Sequence, residues 1–273
     1  MKRKTWQKGL AAFLAVACLP LGSLSVPSEV RAADPAEVSV VAQGNSVTIG
    51  NDYISREFSV SGGKLSTVNI TNKRTDGGDT VFVPAAGSEE FKIRMTKSGN
   101  ATAPEDREFA ASALTLQEDP VVEDTTATIN DVEKSGQKVT FHFAPYTFQG
   151  IEYTISEVIV MYDGDHFMRK YMEISVPDNQ KENAVIDYID LESMNVNNGD
   201  ATWTIPTDAG GIVQMGQFKA NLGQPIYIQG MFFGCEFPVA DNQIAGGTGY
   251  SRYYTGKSFD RLEQDNQLTQ DGK

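Results

Sequence analysis

Cysteine and histidine are nearly absent from this chain. Its 273 residues hold two cysteines, Cys18 and Cys235, and two histidines, His142 and His166. Cys18 falls in an amino-terminal apolar run, which leaves Cys235 alone and rules out an internal disulfide in the remainder. The fold must stand on its hydrophobic core, and Cys235, set among Phe232, Phe233 and Phe237, is expected to be a buried small apolar residue. With two histidines, no H-E-x-x-H pattern and one cysteine, the usual zinc sets are excluded. There is no G-x-S-x-G elbow, and neither histidine stands in a partner motif of a nucleophilic triad. Gly210-Gly211 and Gly246-Gly247 precede no helical segment, so a phosphate-cradling loop is missing too. Basic charge is scarce: 23 Lys and Arg face 36 Asp and Glu, a formal net charge of −13. That balance argues against a nucleic-acid partner and favours neutral or cationic ligands.

Residues 1–32 have the layout of a bacterial-type secretory signal peptide. Lys2, Arg3, Lys4 and Lys8 precede an apolar stretch from Gly9 to Val26, and Val30-Arg31-Ala32 closes it with small residues. A lipid-attachment reading at Cys18 is disfavoured because the apolar run continues past it. Removing five basic residues and one acidic one leaves 18 and 35, a net charge of −17. The expected location is extracellular or cell-surface, with no membrane span.

What is present, from Val38 onward, is alternation with a period of two. "SVTIGN", "YISREFSV", "KLSTVNITN" and "KVTFHFAPY" are short alternating runs punctuated by Gly, Asn and Asp. No segment keeps helical spacing over three turns. The clearest element, "GIEYTISEVIVMYDGDHFMRKYMEISV", predicts two long strands around a tight turn at Asp163-Gly164. The apolar phase changes near Glu157, which suggests a bulge. "NAVIDYIDLESMNV" and "ATWTIP" predict further strands, and "PIYIQGMFFGCEF" one long apolar strand. Residues 96–107 predict an exposed loop. This pattern predicts an all-β fold, a large antiparallel sandwich, over residues 33–260. Residues 261–273 form a polar tail, either the start of a linker to a further domain or a frayed end.

Chemistry-bearing candidates are few. Asp163, Asp165 and Asn198 or Asp200 could supply oxygens for a loop calcium, but Asx-rich turns are their more ordinary role; no cofactor is expected. His142 is expected half-buried on a strand and His166 at the surface. Glu173, Asp187, Asp190, Glu236 and Asp241 are the carboxylates that a two-carboxylate hydrolysis would draw on, and Asp187 and Asp190 are expected to be solvated. Aromatics say more: Tyr250, Tyr253, Tyr254 and Phe259 cluster with Arg252 and Lys257 in "GYSRYYTGKSF". With "GMFFGCEFPVADNQ" they suggest a sugar-facing rim, or alternatively buried packing. The residues singled out for a glycan or a domain interface are Glu236, Asp241, Asn242, Arg252, Tyr253, Tyr254 and Lys257.

The phrases "VIVMYDGDHFMRKYMEI", "GQPIYIQGMFFGCEFPVADNQ", "YSRYYTGKSF" and "NDYISREFSVSGGKLSTVNITNK" together resemble the amino-terminal β-supersandwich of large secreted glycoside hydrolases. The relatives are those of the alpha-galactosidase and endo-alpha-N-acetylgalactosaminidase type. The resemblance implies a galactose-mutarotase-like sandwich preceding a catalytic barrel that carries the acid and the nucleophile. It carries no catalytic residue onto this chain. The expected function is therefore a non-catalytic, carbohydrate-associated domain that packs on a downstream barrel of the same polypeptide. The alternatives are a freestanding carbohydrate-binding module, with Trp203, Tyr253 and Tyr254 as its platform, or a complete carboxylate-dependent glycosidase.

Overall fold

The computed structural model describes residues 36–95, 107–204, 224–235, 240–259 and 261, all within one compact unit spanning 35–273. They form eighteen strands, with three-residue helical turns at Ser61–Gly63, Ala111–Ala113 and Asp178–Gln180. The fold is all-β, an antiparallel sandwich-type arrangement of several sheets, as the alternation predicts. Among the described residues no helix is long and apolar enough to cross a membrane.

The first sheet is a meander of β1 (Ser39–Gln43), β2 (Ser46–Gly50), β3 (Ile54–Ser59), β4 (Ser66–Asn72) and β5 (Thr80–Phe82). The chain then lays down β6 (Lys92–Met95) and β7 (Glu108–Ala110), two strands of a five-stranded sheet completed much later. A second sheet follows from β8 (Val121–Ile129), β9 (Val132–His142), β10 (Tyr146–Phe148), β11 (Ile151–Tyr162) and β12 (Arg169–Ser175). β13 (Val185–Asn195) returns to pair with β6, and β14 (Thr202–Thr204), β15 (Ile226–Ile228) and β16 (Met231–Phe233) make a small three-stranded sheet. β17 (Asp241–Ala245) and β18 (Thr248–Ser258) complete the sheet β17-β18-β13-β6-β7.

Three of the four sheets share one core. Val47, Ile49 and Phe58 of the first sheet meet Val139, Phe141, Ile155 and Ile159 of the second and Ile93, Met95 and Ile186 of the third. The even-numbered face of β3 and the odd-numbered faces of β9 and β11 therefore point inward. A smaller apolar cluster joins Ile70 and Phe82 to Met194 and to Ile226, Ile228 and Met231 of the three-stranded sheet.

Three details differ from the sequence reading. β11 and β12 do pair as long antiparallel strands, but residues 163–168 connect them, so Asp163-Gly164 is part of a six-residue connection. No bulge interrupts β11 at Glu157, where the register with β12 runs unbroken from Thr154 to Val160. The phase change arises because β11 is covered on both faces: Val158 and Val160 are buried as well as Ile155 and Ile159. Glu157 itself stands in the inward phase.

The "PIYIQGMFFGCEF" segment is likewise not one strand. Gln229 and Gly230 both have positive φ, and this reverses the chain between β15 and β16, with Ile228 facing Met231. Consecutive positive φ values match the right-handed twist of the strands they join. Asn130-Asp131 and Gly246-Gly247 do the same between β8 and β9 and between β17 and β18. The loop expected at residues 96–107 lies outside the described residues but for Arg107.

Gly136 shows how closely the second sheet is built. It pairs with Tyr162, and a Cβ at this position would sit 2.1 Å from the Met161 carbonyl oxygen. Gly136→Ala should lower stability by roughly 1–3 kcal/mol, the usual range for overpacking, measured by chemical unfolding. An unchanged midpoint would mean β9 and β11 can separate at no cost.

Candidate functional site

Charged side chains occupy inward positions of three strands. Arg56 stands between Ile54 and Phe58 on β3, Glu157 between Ile155 and Ile159 on β11, and Lys170 between Met168 and Met172 at the start of β12. Glu90, just before β6, and Glu192 of β13 complete the group. All five side chains are nearly or fully buried. Burial of unpaired charge costs so much that such groups must neutralise one another.

Arg56 is the hub. Its guanidinium donates to Glu192 Oε1 at 2.5 Å and Oε2 at 3.1 Å, to Glu90 Oε2 at 2.7 Å and to Thr67 Oγ1 at 2.7 and 2.9 Å. Its carbon lies 4.9 Å from the centre of the Phe58 ring. Lys170 Nζ donates to the Glu90 carbonyl at 2.6 Å and its carboxylate at 3.1 Å, and lies 3.3 Å from Glu157 and 3.4 Å from Glu192. Thr67 adds two donors to Glu90, its backbone N–H and its hydroxyl.

Titration follows from this geometry. Burial alone would raise the Glu90 carboxyl, but Lys170 and Arg56 reverse this and hold it down at about 2. For Glu157 burial wins: Lys170 pulls down, Glu90 pushes up, and the carboxyl rises to about 8. Neither Glu157 oxygen has a hydrogen-bond partner among the described residues. A proton kept by Glu157 at neutral pH removes one negative charge that Arg56 and Lys170 would otherwise have to offset.

Arg56, Lys170 and Glu192 also line a cleft of about 540 Å³, within the range of small-ligand sites. Its walls include Tyr53, Phe167, Tyr171, Met231, Phe232 and Phe233, with Gly234 and Cys235 beside them. Arg74, His166 and Arg169 line it as well. Ser251 contributes a buried hydroxyl with no hydrogen-bond partner among the described residues. Phe232 also belongs to a second surface. Trp203 faces Tyr227, and Tyr227 faces Phe232, in direct register across β14, β15 and β16. The three rings thus lie on one sheet face, with Trp203 54% and Phe232 57% exposed. The Trp203 and Tyr227 rings are 5.0 Å apart.

The residues singled out from sequence fall mostly elsewhere. Asp241, Arg252 and Tyr254 share one face of β17 and β18, whereas Ser251 of the cleft points the other way. Arg252 donates to Asp190 at 2.6 and 3.0 Å and packs 3.5 Å from the Tyr188 ring centre and 4.6 Å from Tyr250. Asp190 is thus buried and paired rather than solvated, while Asp187 stays half-exposed, 3.8 Å from Arg94. The Tyr254 hydroxyl lies 3.5 Å from Asp241. Asn242 is fully buried; its amide accepts from Cys235 N–H and donates to the Gln224 carbonyl, tying both ends of the β15–β16 hairpin to β17. Cys235 is half-buried at the cleft, not sealed in the core. Tyr253 pairs with Ile189, and Lys257 with Ile186 by backbone register. Glu236 lies outside the described residues.

His142 is half-buried, as expected, and bonds Ser156 at 2.8 Å. His166 is exposed, also as expected, but it is a cleft residue. Asp163 and Asp165 serve the fold: Asp163 accepts from Val38 N–H, and Asp165 pairs with Lys134 and Arg169. Among the described residues no three His, Cys, Asp or Glu side chains are grouped to hold a metal. No family model, curated protein or solved structure matches the chain.

Proposed function

We propose that this protein is a secreted, carbohydrate-associated β-sandwich that binds glycan in the cleft and along the Trp203–Tyr227–Phe232 row. The observation that carries the reading is the row itself: three aromatic side chains in cross-strand register, two of them more than half exposed, ending at Phe232, which also lines the cleft. Neighbouring strands are about 4.8 Å apart, so the row offers faces for two linked pyranose rings. Apolar ring faces stack on such surfaces, while hydroxyls need donors and acceptors; Ser251 and Glu192 supply them in the cleft. The signal-peptide layout of residues 1–32 and the resemblance to glycoside hydrolase sandwiches point the same way.

Binding is favoured over hydrolysis by the carboxylates. Two-carboxylate hydrolysis needs a proton donor and a second carboxylate across the scissile bond. Among the described residues lining the cleft only Glu192 is acidic, and Arg56 and Lys170 hold it. A second reading, in which this face packs on a catalytic barrel of the same polypeptide, draws on exposed Val81 and Val83 flanking Phe82, which packs edge-on to Phe233.

Trp203 is the sole tryptophan beyond the leader, so its fluorescence reports the row directly. Titration with a panel of oligosaccharides should give a saturable emission change, and Phe232→Ala should weaken binding about tenfold, or about 1.4 kcal/mol. Because Phe232 is exposed, that variant should keep its unfolding midpoint. No response to any glycan, or an unaltered affinity in the variant, would remove the reading in favour of a docking face.

A further inference from the structure

The net charge of the chain predicts neutral or cationic ligands, yet its cleft has the opposite character. Of the Lys, Arg, His, Asp and Glu side chains lining it, Arg56, Arg74, His166, Arg169 and Lys170 are basic types and Glu192 alone is acidic, in a chain where Asp and Glu outnumber Lys and Arg by 36 to 23. Arg56 and Lys170 are neutralised within the buried cluster, and Arg169 lies 3.7 Å from Asp165. Arg74 is different: the described ion pairs do not include it. Its guanidinium is placed over the Tyr53 ring, 4.7 Å from the centre, and 3.1 Å from the His166 ring nitrogens. The Tyr53 and His166 rings in turn meet at 4.3 Å, tilted by 58°. An arginine held by stacking instead of by a carboxylate keeps a charged, planar fork of donors for an incoming group.

From this we infer that the sugar bound in the cleft is an acidic one, and that Arg74 receives its carboxylate. The inference rests on the glycan reading and sharpens it to a ligand class. Planar carboxylate matches the guanidinium fork through two parallel hydrogen bonds, while Phe232, Phe167 and Tyr53 offer apolar surface to the ring that bears it. The negative field of the remaining protein opposes such a ligand at long range. Selectivity therefore depends on short contacts inside the cleft, and added salt screens only the long-range part.

The test uses the full mature chain and an array of matched pairs, uronides and sialosides against their methyl esters, together with neutral and sulfated glycans. The acids should bind about tenfold tighter than their esters, and Arg74→Gln should bring acid and ester to the same affinity. Equal affinity for acid and ester in the wild type, or binding confined to neutral glycans, would overturn the inference and leave the glycan reading standing. Sulfated glycans binding as tightly as the carboxylates would overturn the assignment of a carboxylate. If no glycan binds in any form, the glycan reading fails and this inference falls with it.

Discussion

Replacing Arg56 by methionine should destabilise the protein by about 3–5 kcal/mol, the range for breaking a buried ion pair from one side. For a domain of this size that corresponds to a fall in Tm of roughly 10 °C. The cause is less the loss of attraction than what remains. Glu90 and Glu192 would stay buried with Lys170 as their one remaining cation, and Thr67 Oγ would lose the donors at 2.7 and 2.9 Å. Burial by itself would weaken protonation of Arg56, yet Glu192 and Glu90 overcompensate and hold its proton more firmly than usual. Denaturant unfolding of Arg56→Met beside Glu157→Gln separates network from bulk packing. The glutamine variant should be nearly neutral at pH 5, because it replaces a carboxyl that is protonated there. A loss under about 1 kcal/mol for Arg56→Met would show that the cluster rearranges around the gap.

The second large effect is a dependence of stability on pH that two carboxyls write with opposite signs. Glu90 is held at about 2 in the folded chain, below its ordinary value of 4.5. Its contribution is present above pH 4.5 and is lost as pH falls toward 2. Glu157 is raised to about 8. Between pH 4.5 and 8 the folded chain keeps a proton that the unfolded chain has released, so stability falls as pH rises and levels off above 8. At about 1.4 kcal/mol per unit, the Glu157 share amounts to a few kcal/mol. Glu157→Gln removes that share alone. The variant should match wild type near pH 5 and be the more stable protein near pH 8, with the difference widening steadily between. Parallel curves across the window would mean that Glu157 ionises normally despite its burial.

Much of the fold was legible because a half-buried strand has to alternate. Val139, Phe141 and Phe143 share one inward face as their spacing predicts, and β11 and β12 pair along their length. Where both faces are buried the alternation disappears, which is why β11 imitated a bulge. The signal at Glu157 was real but meant something else: a charge standing in the apolar phase. Arg56 between Ile54 and Phe58, and Lys170 between Met168 and Met172, carry the same mark. Three charges in core phase can be told from errors of phasing only once they are seen to meet. The β15–β16 reversal was hidden because Gln229 is an unusual residue for positive φ. The cleft was less legible still. Its walls come from residues 53–56, 70–74, 166–171, 191–192, 230–235 and 251, and no local pattern links segments so far apart. Clustered aromatics drew attention to Arg252 and Tyr254, on the face of β18 that cages its own arginine instead.

Phe232 is shared between two surfaces, since one side chain ends the aromatic row and also walls the cleft. Occupancy of either is therefore a thermodynamic input to the other. Whatever factor a sugar in the cleft applies to affinity along the row, a chain on the row must apply to the cleft, because binding linkage is reciprocal. Under the proposed glycan reading, a short oligosaccharide and a long one are then not weak and strong versions of one ligand. The short one addresses a single surface and leaves Phe232 free to adjust, whereas the long one must satisfy both with the same ring in one position. On the proposed glycan reading, chain length would be a quantity the protein can measure, expressed as the gain in affinity on extending a glycan past Phe232.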